Sequence, residues 1–317
     1  MLKTSLFATK LLCALLALAV IGAALCSCGE PEDFEQIVIT FTDALGRRVA
    51  VEKSPKRVAA LIGSFAEIWT LAGGELVAAA EDAWDDFGLE LDAVNIGGAH
   101  SPNTELLIAA SPDLVLASAS TAANVELREL LESVGITVAY FDVDSFDDYL
   151  GMLDVCTTIT GRRDLYRENG LEIKEKIDAI KAESPVPELD EDCKRVLVLR
   201  AASGFVKAKG SRGTVLGEML SELGLVNIAD SDKSLLETLG AESIIKADPY
   251  RIFVVTMGDH EAAIENMNRE LAESPAFRDL EAVRCGRVHY MDRRLYNLKP
   301  NARWAEAYEG LCEIIRE

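Results

Sequence analysis

GRRDLYRENGLEIKEKIDAIKAESP, residues 161–185, is the stretch on which the fold turns. Tyr166, Gly170, Ile173, Ile177 and Ile180 recur at spacings of four and three, which puts them on one narrow helical stripe. Glu168, Glu172, Lys174, Glu175, Lys176 and Lys181 fall outside it and face water. Gly161 in front and Ser184-Pro185 behind are stop signals, and some twenty residues at ~1.5 Å rise make a rod of roughly 30 Å. A plain surface helix would also satisfy this pattern, and Asn169-Gly170 weakens it by about 1 kcal/mol. Its flanks give it meaning.

Upstream, residues 37–41 and 49–51 read as a hairpin around Asp43-Ala44-Leu45-Gly46. Lys56-Arg57 then opens an apolar strand, 58–62, followed by a helix from Gly63-Ser64 to Leu71 and a stop at Gly73-Gly74. Residues 76–80 make the next strand, 82–87 a loop carrying Trp84, and Ser101-Pro102-Asn103 a helix start. Strands at 114–117 and 136–141 bracket a helix at 125–134, and Ser145 caps a helix that runs to Gly161. Strand, glycine turn and helix in repetition predict parallel α/β structure.

Downstream the same order restarts. Lys194-Arg195 precedes the strand 196–199 as Lys56-Arg57 precedes 58–61, and Leu223-Gly224-Leu225-Val226 echoes residues 73–77. Glu105, six residues and Pro112 before Leu114-Val115-Leu116 match Glu242, six residues and Pro249 before Ile252-Phe253-Val254-Val255. Arg57 to Glu105 is 48 residues and Arg195 to Glu242 is 47. Matched distances from matched strand starts indicate a duplicated unit. The expectation is therefore α/β, two Rossmann-like lobes with central parallel sheets joined by a single long helix: residues 37–160, the helix 161–185, and residues 186–317.

The N-terminus reads as an address. Lys3 and Lys10 precede an uncharged apolar run, 11–25, too short to span a membrane comfortably. Residues 1–27 thus form a signal peptide, and the acidic residues 28–36 a tether. The alternative to an anchor is ordinary cleavage near Ser27. Removing residues 1–27 leaves 30 Lys and Arg against 53 Asp and Glu, a net charge of −23, which argues against nucleic acid as partner. Cys156, Cys193, Cys285 and Cys312 show no short paired spacing, although one bridge among them stays open. Three histidines, His100, His260 and His289, do not suit a multi-histidine metal site. Neither a nucleophile elbow nor a phosphate loop is present, so the chain reads as a non-enzyme.

Six motifs carry a resemblance: residues 42–47 (TDALGR), 55–58 (PKRV), 102–105 (PNTE), 111–115 (SPDLV), 286–288 (GRV) and 299–304 (KPNARW). In that order, behind Leu25-Cys26-Ser27-Cys28, which is similar to a lipobox with Cys28 as the lipidated residue, they resemble the substrate-binding lipoproteins of bacterial ABC importers for iron siderophores, haem and cobalamin, a class III periplasmic binding protein family. The resemblance implies a monomer tethered by lipid outside the cytoplasmic membrane. It would have no intrinsic cofactor, hold a ferric siderophore, haem or cobalamin between its lobes, and serve a permease dimer with its ATPase subunits. It also implies that one glutamate on each lobe, Glu105 and Glu242 here, docks onto permease arginines. A bare zinc or manganese carrier, or a lipoprotein that senses or adheres, are the other readings.

Pocket candidates lie just after strand ends: Ser64, Phe65 and Trp84 from the first half, Arg200, Lys207 and Arg212 from the second, and Arg293, Arg294 and Tyr296 near the end. Large anionic chelates suit convergent Arg and aromatic side chains. Each has a plainer reading, as loop, solvated charge or core; Trp304 reads as core.

Overall fold

Two runs of strands show why the halves become sheets. Val58 and Ala60 point to one side while Ala59 and Leu61 point to the other, and all four are buried. Val196 and Val198 alternate with Leu197 and Leu199 in the same way. Strands apolar on both faces need cover on both faces, which parallel sheets obtain from crossover helices. The computed structural model of the chain describes residues 37–231, 233–238 and 240–317. Cys28, the signal peptide and the tether lie outside the described residues.

The strands in order are β1 (Val38–Thr42), β2 (Arg48–Glu52), β3 (Val58–Ala60), β4 (Leu76–Ala79), β5 (Val94–Asn95), β6 (Leu114–Ser118), β7 (Thr137–Phe141), β8 (Arg195–Ala202), β9 (Phe205–Lys209), β10 (Val226–Asn227), β11 (Arg251–Thr256) and β12 (Val288–Tyr290). β1 and β2 form the expected hairpin. The Asp43 carboxylate accepts from the Leu45 and Arg47 backbone N–H groups and from the Arg47 guanidinium, which also donates to the Val138 carbonyl. Burial opposes ionisation of Asp43, but those bonds and the Arg47 charge outweigh it and hold the carboxyl below its ordinary value.

The first sheet has the order β5-β4-β3-β6-β7, and the second β10-β8-β11-β12 with β9 alongside β8. Setting β5 and β9 aside, the two orders superpose strand for strand, β4-β3-β6-β7 on β10-β8-β11-β12. Every pairing along both paths is parallel; only β9, absent from the sequence reading, runs antiparallel to β8.

Between the sheets the chain is helical from Arg163 to Ala182, with a π-helical turn at Arg167–Leu171. The turn coincides with the weak Asn169-Gly170 pair. Tyr149 donates its hydroxyl to the Asn169 carbonyl at 2.7 Å, so a carbonyl of the loosened ladder is satisfied from outside, and the Asn169 side-chain amide donates to the Leu71 carbonyl at 3.0 Å, which ties the turn to the helix Gly63–Leu71. A Cβ on Gly170 would stand 2.7 Å from Leu150 Cδ1. Ile173 and Ile177 are buried. The preceding helix, Phe146–Thr160, begins with a full capping box from Ser145 and Asp148 and ends at Gly161 with φ 79°.

The inward faces of both sheets feed one apolar cluster. It runs from Val58, Leu116 and Phe141 through Tyr149, Leu153, Ile173 and Ile177 to Val198, Phe253 and the C-terminal helix Trp304–Arg316. Each outward face has a cluster of its own, covered by helices. Cys156, Cys193, Cys285 and Cys312 are all free thiols.

Candidate ligand wall and rim glutamates

Glu105 and Glu242 occupy equivalent points. Each is exposed in the first turn of a short helix, Thr104–Ala109 and Ala241–Ala247, that leads into the strand beside the central one. Both helices end in a residue with positive φ immediately before a proline: Ser111 at 46° and Asp248 at 39°. The basic pairs seen in the sequence explain how these ends are held. Arg57 donates to the Ala110 and Ser111 carbonyls, and Arg195 to the Asp248 carbonyl at 3.5 Å. An arginine at the start of each central strand thus ties down the C-terminal end of the helix that carries the glutamate. Asp113 completes the first copy by accepting from the Lys56 and Arg57 backbone N–H groups.

The second half carries a basic wall. Register pairs Arg200 of β8 with Lys207 of β9, and Val198 with Lys209, so all four side chains share the face turned to the central core. Lys207, Lys209 and Arg212 line a cavity of about 940 Å³ that Glu218 and Asp230 also border. Asp230 accepts from the Ser211 backbone N–H at 2.8 Å and Glu218 from that of Gly213 at 3.3 Å, so the cavity's own carboxylates shape the loop. Among the described residues, none of Arg200, Lys207, Lys209 and Arg212 makes an ion pair. The Arg200 Nε is buried without a hydrogen-bond partner. Burial lowers the pKa of Arg200; burial and the charges of Arg200 and Lys207 lower that of Lys209. From the first half, the charge of Asp144 acts on Arg200, Lys209 and Glu218, while its own ion pair is with Lys299 at 2.8 Å.

The other candidates gather where the chain returns to the first half. Arg293 pairs with Asp86 at 3.0 Å, and Arg294 with Glu67 at 2.7 Å while lying 3.9 Å over the Phe87 ring. Ser64 is buried, and its carbonyl accepts from the Asn301 amide. Both arginines therefore serve as ties between distant segments rather than as solvated charges.

Three sequence expectations change. Residues 82–87 are not a loop throughout: Asp82–Asp85 is a short helix, and Trp84 sits half-buried against the central core. Phe65 is 1% exposed and meets Phe141 edge-on, so its ring is spent on packing. Tyr296 is buried with its hydroxyl donated to the Ala307 carbonyl at 2.9 Å, and burial pushes its pKa up. Trp304 is fully buried, as its helical position suggests. His100 is exposed in a turn. Lys209 and Asp144 were missed. The alternation Phe205-Val206-Lys207-Ala208-Lys209 carries the period-2 signal that pairs Lys209 with Lys207; nothing local marks Asp144.

Comparison with known proteins gives a consistent picture. Residues 58–295 match the family model for periplasmic binding protein. The uncharacterized ABC transporter substrate-binding lipoprotein YvrC of Bacillus subtilis (strain 168) is 26% identical over 311 residues, covering 94% of this chain and 95% of that protein. The Fe(3+)-citrate-binding protein YfmC of the same organism is 26% identical over 252 residues, covering 78% and 76%. Among solved structures, Staphylococcus aureus SirA complexed with staphyloferrin B superposes with a TM-score of 0.68 at 19% identity, covering 88% of this chain and 98% of that one.

Proposed function

The chain belongs to the periplasmic binding protein family, and from that premise we propose that it is the exported substrate-binding subunit of an ABC importer, capturing a chelated iron complex or a tetrapyrrole and delivering it to a permease. In this reading residues 37–160 and 186–317 are the lobes that enclose the ligand and residues 161–185 the bridge between them. Glu105 and Glu242 are the two docking points for the permease dimer. Residues 1–27 direct export, and Cys28 carries the lipid at the end of the tether 28–36. Mass spectrometry of the mature N-terminus should find a lipid-modified Cys28; an unmodified terminus elsewhere removes the anchor from the reading.

The observation that carries the ligand assignment is the cavity of about 940 Å³ lined by Lys207, Lys209 and Arg212, together with Glu218 and Asp230. That is the scale of a whole small-molecule ligand, for which pockets run to roughly 300–1,000 Å³. A bare ion instead needs several donors at one point, and among the described residues no three His, Cys, Asp or Glu side chains stand together to hold one. The name of YfmC, an Fe(3+)-citrate-binding relative, supports the same class of cargo. Titration with ferric siderophores, haem, cobalamin, zinc and manganese, read by intrinsic tryptophan fluorescence, tests this. Saturable binding to a chelate or tetrapyrrole is expected; tight binding to a bare ion alone would overturn it.

A further inference from the structure

Within that reading, and resting on its lipid anchor, we propose that the base of the first lobe is a weak docking surface for anionic phospholipid headgroups, on which the tethered protein rests between rounds of delivery. Residues 47–57, RRVAVEKSPKR, hold five of the chain's 32 basic residues and one of its 53 acidic ones. Arg47 is spent on Asp43 and Glu132. Arg48, Lys53, Lys56 and Arg57 are exposed, and among the described residues none of them makes an ion pair. Glu52 and Asp113 temper the patch, but Asp113 is turned to backbone, accepting from the Lys56 and Arg57 N–H groups. Arg48 borders a surface groove with Gly135 and Thr137 at the start of β7, and Pro55 and Asp113 border its continuation, so all four cations belong to the end of the sheet where its strands begin. In a chain of net charge −21 this grouping is a local exception, and it favours a partner of opposite sign.

The place where the chain enters the lobe identifies that partner. Val38, the first residue of β1, pairs with Glu52, directly before Lys53. The Ser54 N–H donates to the Ile159 carbonyl at 2.8 Å, and Lys53 lies against Gly161, where an added Cβ would stand 3.3 Å from its Cε. The ten residues from Cys28 to Val38 reach at most ~35 Å when fully extended. A lipid on Cys28 therefore holds this surface beside the bilayer at high effective concentration. Each cation at an anionic bilayer is worth about fivefold in partitioning, and the attraction fades over a Debye length of about 8 Å. Posture follows from strand direction. Lys56 and Arg57 precede β3 and Ser64 follows it, while Glu105 stands in the first turn of the helix whose last turn Arg57 holds, roughly 9 Å further from the base. Resting on the patch, the protein turns the Ser64 end of the sheet toward arriving cargo. Docking of Glu105 then requires the patch to let go, which a contact of a few screened charges permits.

The test uses the full-length, processed protein reconstituted in vesicles of phosphatidylcholine alone, or of equal parts phosphatidylcholine and phosphatidylglycerol. Acylation of lysines by an amine-reactive reagent, read peptide by peptide by mass spectrometry, reports which side chains face the bilayer. On the anionic vesicles Lys53 and Lys56 should label about fivefold or more slowly than on the neutral ones, while Lys246, exposed on the second lobe, labels at the same rate on both. Raising the salt concentration should abolish the difference. Arg48→Gln combined with Lys56→Gln should restore labelling of Lys53 on anionic vesicles, with ligand affinity and Tm unchanged. Equal labelling of Lys53 and Lys56 on both compositions, with the protein retained on both, would overturn the lipid-facing surface and leave the anchored carrier standing. Loss of the protein from neutral vesicles would overturn the anchor instead; the surface then stands if anionic vesicles alone retain the protein and falls if they do not.

Discussion

Replacing Glu105 and Glu242 together with arginine is expected to abolish uptake through the permease while ligand affinity stays at the wild-type value. Both side chains are exposed, and neither makes an ion pair among the described residues, so the replacements break no internal contact. The folding cost is confined to the helix-dipole interaction, about 0.3–1 kcal/mol at each site. That is small beside the effect of placing a cation where the proposed docking acid stands, for like charges juxtaposed at an interface cost several kcal/mol. The geometry supports a paired role: Arg57 and Arg195 hold the two carrier helices by the same end, and Ser111 and Asp248 make the same left-handed turn before Pro112 and Pro249. A dipole interaction alone gives no reason for such equivalence. Uptake of radiolabelled iron chelate at equal protein level, with affinity measured in parallel, separates the alternatives. Single replacements should leave partial transport, and acidic substitutions in the permease should restore some to the double variant. Full transport by the double variant would leave only the dipole contribution.

Much of the scaffold was legible because its signals are local. Glycine stops, the Ser145 cap, apolar runs and the spacing of Glu105 and Glu242 from the basic pairs all lie within one unit of chain. The pocket was less legible because its determinants are not local. Arg294 reads equally as ligand contact or solvated charge until Glu67, 227 residues away, is found beside it. Phe65 and Tyr296 have the composition of stacking residues, but aromatic type does not say on which side of a sheet a ring falls. β9 was hidden by brevity: Ser203-Gly204 turns the chain directly back along β8, and five residues with two lysines look like loop. The π turn was half legible, as a weak point in a helix whose compensating Tyr149 hydroxyl comes from the helix before.

Glu67→Ala should destabilise the protein by about 2–4 kcal/mol. Glu67 stands on the helix Gly63–Leu71, directly after the central strand of the first sheet. Its two oxygens accept from Arg294 at 2.7 Å each, and one also accepts from the Asn301 amide at 2.5 Å. Arg294 and Glu67 side chains are only 15% and 18% exposed, and Asn301 is wholly buried with φ 53°. Truncation therefore leaves a largely buried guanidinium without its counter-charge, held only, among the described residues, by the Lys299 carbonyl and the Phe87 ring. It also removes a constraint that holds a non-glycine residue in the left-handed region, where conformational strain costs about 1–3 kcal/mol. The residual exposure of the pair places the expected loss below the upper end for fully buried pairs. Glu67→Gln keeps the shape and one acceptor, so it should cost less, about 1–2 kcal/mol. For a chain of this size a 3 kcal/mol loss corresponds to roughly 5 °C in Tm. Because both sheets feed one apolar cluster, the melting transition should shift as a single step rather than divide in two. An Arg294→Ala partner completes a double-mutant cycle, and a coupling near zero, or an unchanged Tm in Glu67→Ala, would mean that the return of the C-terminal segment is held by packing of Leu295, Tyr296 and Trp304 alone.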